Sequence, residues 1–175
     1  MITIEIPDIA SRTISQKSYD DIIASLKLSD IQCPCGHIGG LIHHGSYERT
    51  VKAPDGEFRL RICRVKCTLC GHTHAILLSS IVPYSQISLK EQVAVIHSYK
   101  QKAGYTEILS SNLSIDENNI RSIILRYRRF WHQALSLFEL PLYPISELIK
   151  QCFSTFQKQF MQIKNIPNSF IAITT

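Results

Sequence analysis

The sequence predicts an α+β fold in which a small β unit built around paired cysteines precedes a helical unit. Three observations predict it. Residues 57–62 alternate strictly between polar and apolar side chains, as a half-buried strand does. Two close cysteine pairs enclose this strand and the residues before it. From Ser88 onward, apolar residues recur at helical spacing instead. Because strand and helix signals occupy separate parts of the chain, we expect separate β and helical units.

The composition is that of a globular protein with a mild excess of positive charge. Of 175 residues, 45% are hydrophobic and 19% charged, and the formal net charge is +5. Charged residues or prolines break every apolar stretch well short of the ~20 residues that a membrane span needs. The first residues lack the basic start of a signal peptide. We therefore expect a cytoplasmic protein without a membrane partner, in which close cysteines are metal ligands rather than disulfides.

The first 31 residues are expected to form a strand and a helix. Residues 2–6 alternate between apolar and polar side chains, which indicates a half-buried strand. Apolar residues at helical spacing predict a helix from about Tyr19 to Leu28, with Ser18 and Asp21 as its capping pair.

A β-hairpin with one basic face is predicted next. Residues 41–52 read as one or two short strands, and Pro54-Asp55-Gly56 is a strong turn signal. In the following strand, the apolar residues share one face and Arg59 and Arg61 share the other. The alternation slips after Ile62, which predicts a β-bulge near Cys63.

The two cysteine pairs predict a metal site. Cys67 and Cys70 are separated by two residues and followed by glycine, so the chain can turn back and present both thiolates to one ion. Cys33 and Cys35, also followed by glycine, form the facing pair. This order of pair, hairpin and pair is the layout of a zinc ribbon. Four thiolates would hold a structural Zn²⁺ with no open coordination position.

The first pair leaves the ligand set open, because one intervening residue strains simultaneous ligation. A histidine or another cysteine could replace one ligand, and the nearby alternatives are His37, Cys63, His72 and His74. A set of buried free thiols is a further alternative. Cys152 lies on the apolar face of a predicted helix and is expected to act as a small hydrophobic residue.

Three helices predict a helix-turn-helix unit. Ser88 and Glu91 form a capping box that begins the first helix, which ends near Lys102 with Gly104 beyond it. A short helix, 106–111, is followed by a tight turn at Asn112-Leu113. A second capping box, Ser114 with Glu117, begins the third helix, 115–131. A plain helical hairpin packed on a core is the alternative interpretation.

Double-stranded DNA is the expected partner. In a helix-turn-helix, the N-terminal residues of the second helix reach base edges, here Asn118 and Arg121, and residues further along meet phosphates, here Arg126 and Arg129. Basic residues of the β unit would add phosphate contacts. They are Arg49, Lys52, Arg59, Arg61 and Arg64. The alternative is that these charges only solvate the surface.

Four segments are therefore expected: 1–31, the zinc ribbon at 32–84, the helix-turn-helix at 85–140, and 145–175. Pro141 and Pro144 form the linker before the last segment. That segment begins with an amphipathic helix capped by Ser146 and ends with a strand near residues 170–174. Its apolar helix face could bind a protein partner or a second copy of the chain.

A family resemblance agrees with this interpretation. The segment from Leu60 to Leu77, LRICRVKCTLCGHTHAIL, followed by Ile81-Val-Pro-Tyr-Ser85, resembles a family of bacterial proteins of unassigned function. These look like the N-terminal zinc-ribbon and helix-turn-helix part of insertion-sequence transposases. The resemblance covers about residues 30–165 and implies zinc binding and DNA binding by a mobile-element protein. The first cysteine pair of that family is C-x-x-C, whereas here it is C-x-C.

No catalytic machinery is expected. A transposase of the DDE type needs three carboxylates around two metal ions, and beyond residue 132 only Glu139 and Glu147 occur. A metalloenzyme would need an open metal position and a nearby base, for which His72 and His74 are the local candidates. The sequence thus predicts a non-catalytic, transposase-like or mobile-element-associated protein that binds zinc and DNA, and is nucleoid-associated where it binds. A zinc-ribbon adaptor for protein partners is the alternative.

Overall fold

A computed structural model of the chain describes residues 1–6, 15–111 and 115–163, and the fold is α+β as predicted. No helix among these residues combines the length and apolar character needed to cross a bilayer. The elements in chain order are β1 (Ile2–Ile4), α1 (Gln16–Ser25), a 3₁₀ turn (Leu28–Asp30), β2 (Leu41–Ala53), β3 (Gly56–Cys67), β4 (Thr73–Leu78), α2 (Leu89–Lys100), α3 (Tyr105–Ser111), α4 (Glu117–Arg126), a π-helical segment (Tyr127–Trp131), α5 (His132–Leu137), α6 (Ile145–Phe156) and a second 3₁₀ turn (Phe160–Gln162).

The four strands form one sheet in the order β1-β4-β3-β2. The predicted hairpin is confirmed: β2 is one continuous strand that pairs antiparallel with β3 from Leu41↔Cys67 to Ala53↔Gly56. β4, a strand that was not predicted from the sequence, pairs antiparallel with β3. The N-terminal strand then pairs parallel with β4, and it is shorter than the predicted 2–6.

The predicted bulge is present, but the extra residue lies on β2 rather than on β3. The register passes from His43↔Val65 to Ser46↔Cys63, so His44 and Gly45 together oppose a single β3 residue. Gly45 has φ +94°, a conformation that favours glycine. The break in the polar–apolar alternation of β3 therefore coincides with the extra residue in β2.

A tyrosine of helix α1 bridges β3 and β4 where the pairing of these strands ends. β3 and β4 separate beyond the pair Arg64↔Ala75, and there the buried Tyr19 hydroxyl accepts from Cys63 N and donates to Ile76 O, both at 2.9 Å. Burial raises the pKa of Tyr19 well above its usual range. The Tyr19 hydroxyl thus takes the place of a direct backbone hydrogen bond between β3 and β4.

Two helix starts differ from prediction. α1 begins at Gln16, with Ser15 as N-cap and Ser18 closing the capping box, so the predicted cap at Ser18 with Asp21 was wrong. α2 does have Ser88 as N-cap, with its Oγ accepting from Glu91 N. The N–H of Ser88, however, donates to Lys52 O in β2 at 2.8 Å, where a capping box would bond it to the Glu91 side chain. A tertiary contact has replaced half of the local motif.

The ends of the next helices also differ. After α2, the residue with positive φ is Lys102 (φ 63°) rather than Gly104. α4 begins at Glu117 with Asp116 as N-cap, two residues later than predicted. The predicted cap Ser114 and the turn at Asn112-Leu113 lie outside the described residues.

Beyond α4 the helix continues through the π-helical segment into α5, and the chain then turns back as α6. α6 begins after Pro144, so the predicted cap at Ser146 was wrong. Its apolar face is in the core, with Leu148, Ile149 and Cys152 almost fully buried. The predicted strand at 170–174 lies outside the described residues.

The core divides near residue 81. One apolar cluster extends from Val82 to Ile163, and we call residues 82–163 the helical region. We call residues 1–81 the sheet region, and its described residues form two smaller clusters, one around Tyr19 and Leu60 and one that includes Cys33 and Cys67.

The two regions meet at the hairpin. Lys52 N donates to Gln86 O at 2.6 Å, and β2 forms an isolated parallel bridge with Ile87. The guanidinium of Arg49 donates to two carbonyls, those of Val82 and Ser85. The end of β2 near the turn is therefore fixed against the segment that leads into α2.

Candidate metal centre and cationic surfaces

Four cysteines converge at the end of the hairpin away from its turn. The Sγ atoms of Cys33, Cys35, Cys67 and Cys70 all lie within 4.8 Å of one another. Two of the separations are 3.7 Å, from Cys33 to Cys70, and 3.9 Å, from Cys35 to Cys67. β2 and β3 bring the pairs together, because Leu41 and Cys67 are directly paired. The group could hold a metal ion.

The two cysteine pairs have the same backbone bonds despite their different spacing. In each pair, the first cysteine donates its N–H to the carbonyl of the residue after the glycine, and the glycine donates to the carbonyl of that cysteine. The residues are Cys33, Gly36 and His37 at 2.8 Å in the first pair, and Cys67, Gly71 and His72 at 3.0 Å in the second. Both glycines have positive φ. The C-x-C pair is thus the same turn with one residue fewer, and both its thiols reach the cluster.

The cluster perturbs its thiols in opposite directions. The backbone N–H of Cys70 donates to the Cys67 sulfur and lowers the pKa of that thiol to about 7. Burial raises the pKa of Cys33 to about 12. If all four groups were thiolates so close together, a bound cation would be needed to offset their charge.

The alternative ligands lie outside the group of four. Cys63 contacts His43 Nδ1 at 3.5 Å. His72 is exposed, and its carbonyl accepts from Cys67 N. The His37 ring packs against Gly40, where an added Cβ would approach it to 2.3 Å. His74 Nε2 lies 3.4 Å from the Cys33 sulfur, where it can hydrogen-bond to that cysteine from outside the group of four.

The predicted basic face of the hairpin is only partly exposed. Arg59 and Arg61 are exposed on β3, whereas Lys52 and Arg64 are half-buried. Arg49 is also half-buried and is engaged by the carbonyls of residues 82 and 85. Its contacts are those of a structural link between the two regions.

The predicted DNA-contacting residues of the helical region share the solvent side of one continuous helix. Asn118, Arg121, Arg126 and Arg129 are all exposed, while Ile120, Ile123 and Ile124 on the other side are buried. Arg129 lies over the Phe130 ring, 5.1 Å from its centroid. The predicted two-sided pattern of this helix is confirmed.

Sequence reasoning missed one exposed aromatic residue. Tyr84 is 85% exposed and has φ 59°. Pro83 gave a partial signal for it, since proline favours the second position of type I and type II turns, and in type II turns the next residue has positive φ.

Part of the chain matches a protein-family model. A family described as a domain of unknown function, DUF6431, matches residues 33–118, just under half of the chain. The matched range begins at the first clustered cysteine and ends at the start of α4. No curated protein and no solved structure matches the chain.

Proposed function

We propose that this protein holds one structural zinc ion in the four-cysteine cluster and binds double-stranded DNA without catalysing a reaction. The observation that carries the metal half is the sulfur geometry. A Zn–S bond of about 2.3 Å in a tetrahedron places sulfurs about 3.8 Å apart. The separations of 3.7 and 3.9 Å agree with that edge. Two of the six sulfur–sulfur separations thus match a tetrahedral edge, and an all-thiolate donor set favours zinc over harder cations such as Mg²⁺ or Ca²⁺.

In this proposal, β2, β3 and the cysteine turns form a zinc ribbon, and α2, α3 and α4 form a helix-turn-helix. The exposed side of α4 supports the DNA-binding half. It offers Asn118 and Arg121 in its first turns, where a recognition helix meets base edges, and Arg126 a turn further on. Arg59 and Arg61 on β3 would add sequence-independent phosphate contacts. The resemblance to the N-terminal part of insertion-sequence transposases supports a mobile-element context and a cytoplasmic, nucleoid-associated location.

The donor set also supports a role without catalysis. Four cysteine ligands fill a tetrahedral zinc site, so no position remains for a reactive water. The zinc would hold the hairpin and the cysteine turns in place. Chemistry on DNA would then have to come from a partner.

The adaptor alternative has less support than DNA binding. A docking role for the C-terminal helix needs a free apolar face, and the apolar face of α6 is buried in the helical region. Homo-oligomer formation through the same face would require α6 to leave the core.

Cobalt substitution tests the metal half. Protein refolded with Co²⁺ should show the intense visible bands of a tetrahedral site and a thiolate-to-metal charge-transfer band. Metal analysis of the purified protein should give one zinc per chain. Cys35→Ser should weaken these bands, while Cys63→Ser, outside the cluster, should leave them unchanged. An octahedral spectrum, or bands that weaken equally in both variants, would contradict the four-cysteine site.

Salt-dependent duplex binding tests the DNA half. Replacing Arg59 and Arg61 with Ala should weaken binding to all sequences and reduce the slope of log affinity against log salt by about one for each phosphate that is no longer neutralised. Arg121→Ala should cost about 1–3 kcal/mol on a selected site and much less on random duplex. Lys150→Ala, at an exposed position on α6, is the matched control. A duplex affinity independent of salt would exclude phosphate contacts and contradict the proposed DNA-binding surface.

A further inference from the structure

The segment between the sheet region and α2 contains a strained turn. Ser85 N donates to Val82 O at 3.3 Å, closing a four-residue turn with Pro83 second and Tyr84 third. The third residue has φ 59°, in the left-handed region where glycine is favoured and a side chain costs free energy. A bulky aromatic residue at such a position requires a reason.

The surrounding structure holds this turn in place. Arg49 donates to the carbonyls of Val82 and Ser85, one on each side of the strained residue. Val82 is almost fully buried. The tyrosine side chain itself is 85% exposed, so apolar packing does not explain its presence. Strain that the structure maintains without a packing benefit is characteristic of functional positions.

Tyr84 shares a cavity with one cationic residue and with aromatic and aliphatic residues. The cavity, of about 400 Å³, is also lined by Arg126, Phe130 and Trp131, together with apolar side chains that include Val82 and Met161. None of the described residues that line this cavity carries a carboxylate. The Nε1 atom of Trp131 is buried and has no hydrogen-bond partner within the described part of the chain. A positive guanidinium and an exposed phenol on the same surface are the donors that proteins use for phosphate oxygens.

We propose that Tyr84 and Arg126 together bind a phosphodiester group of duplex DNA beside the groove that α4 enters. The phenol hydroxyl donates a hydrogen bond to a phosphate oxygen, and the guanidinium pairs with its charge. Arg126 lies five residues beyond Arg121, about 7.5 Å along the helix, where a recognition helix leaves the bases and meets the backbone. The inference rests on the proposed DNA binding and adds to it a contact from outside the helix-turn-helix.

Duplex affinity, its salt dependence and thermal stability test this contact in four variants of the full chain. Tyr84→Phe removes only the hydroxyl and should weaken binding several-fold without changing the salt slope, because the phenol is uncharged. Arg126→Gln should weaken binding and lower the slope by about one. Tyr84→Gly should weaken binding at least as much as Tyr84→Phe, yet leave the melting temperature unchanged or higher, since glycine relieves the strain. Tyr143→Phe, 46% exposed elsewhere, is the control and should bind as wild type does.

The outcomes separate this inference from the proposed function. If wild type binds duplex and Tyr84→Phe binds equally well, the phosphate contact is overturned while DNA binding stands. A lower melting temperature for Tyr84→Gly with unchanged affinity would make Tyr84 a residue of the fold only. If wild type fails to bind duplex even at low salt, the proposed function falls, and this contact falls with it.

Discussion

The sheet region and the helical region differ in what holds them together. The helical region buries one apolar cluster, which extends from Val82 to Ile163 and includes residues of its helices. The sheet region has two small clusters, and one of them includes two of the clustered cysteines. A small β unit with little apolar surface to bury is commonly completed by a metal. If the proposed zinc is bound, the sheet region should depend on the metal for stability, whereas the helical region should depend on apolar packing.

The largest expected effect is loss of the metal. Cys67→Ser, or chelation of wild type, should remove on the order of 10 kcal/mol of metal-binding free energy and unfold residues 32–74. The helical region should keep its helical circular dichroism and the fluorescence of Trp131, which is the single tryptophan and is buried there. Cys152→Ser, in the helical core, should keep the metal. Full zinc content and stability in Cys67→Ser would disprove the metal-dependent fold.

The reverse experiment truncates the helical core. Leu148, in α6, is fully buried, so Leu148→Ala should destabilise the helical region by about 2–5 kcal/mol. Trp131 fluorescence should report unfolding at lower denaturant, while the Co²⁺ absorption should persist. Leu137→Ala is the control, since Leu137 is 47% exposed. Simultaneous loss of both signals in Leu148→Ala would show that the two regions fold as one cooperative unit.

A substitution at Tyr19 tests the stability of the sheet region at a position outside the cysteine cluster. Tyr19→Phe leaves the Cys63 N–H and the Ile76 carbonyl without their buried partner, which should cost about 1–3 kcal/mol. Since the folded-state pKa of Tyr19 is raised, its stabilisation is complete below about pH 10 and is lost as the pH rises further. Denaturation at pH 8 and pH 11 should show a smaller difference between wild type and variant at the higher pH. Tyr105→Phe, at an exposed position, controls for loss of a hydroxyl.

Local patterns in the sequence predicted the hairpin and the cysteine cluster. Strict alternation, a turn triplet and two close cysteine pairs each constrain neighbouring residues, so the local signal was sufficient. The ligand alternatives at the C-x-C pair needed the structure, because a hydrogen-bonded turn with one residue fewer has no signature in spacing.

Several errors occurred where a distant residue determines the local structure. The N–H of Ser88 bonds to Lys52 rather than to the Glu91 side chain, and Arg49 points back to residues 82 and 85 instead of to solvent. Tyr19 bridges β3 and β4, and the sequence around Tyr19 does not indicate that its hydroxyl bonds to these strands. None of these contacts follows from propensity, because each depends on how the sheet region meets its neighbours.

The smallest expected effect is at the link between the two regions. Arg49→Gln removes the charged donor to the carbonyls of Val82 and Ser85 and should cost about 1 kcal/mol, because the guanidinium is partly exposed. The larger expected consequence of this substitution is for the coupling between unfolding of the sheet region and unfolding of the helical region. In wild type, melting followed by Co²⁺ absorption and by Trp131 fluorescence should give midpoints closer together than in Arg49→Gln, where each region melts by itself. Arg59→Gln removes an exposed arginine from the adjacent strand and should leave both midpoints in place. Midpoints equally spaced in all three proteins would assign the coupling to the backbone bonds of Lys52 rather than to Arg49.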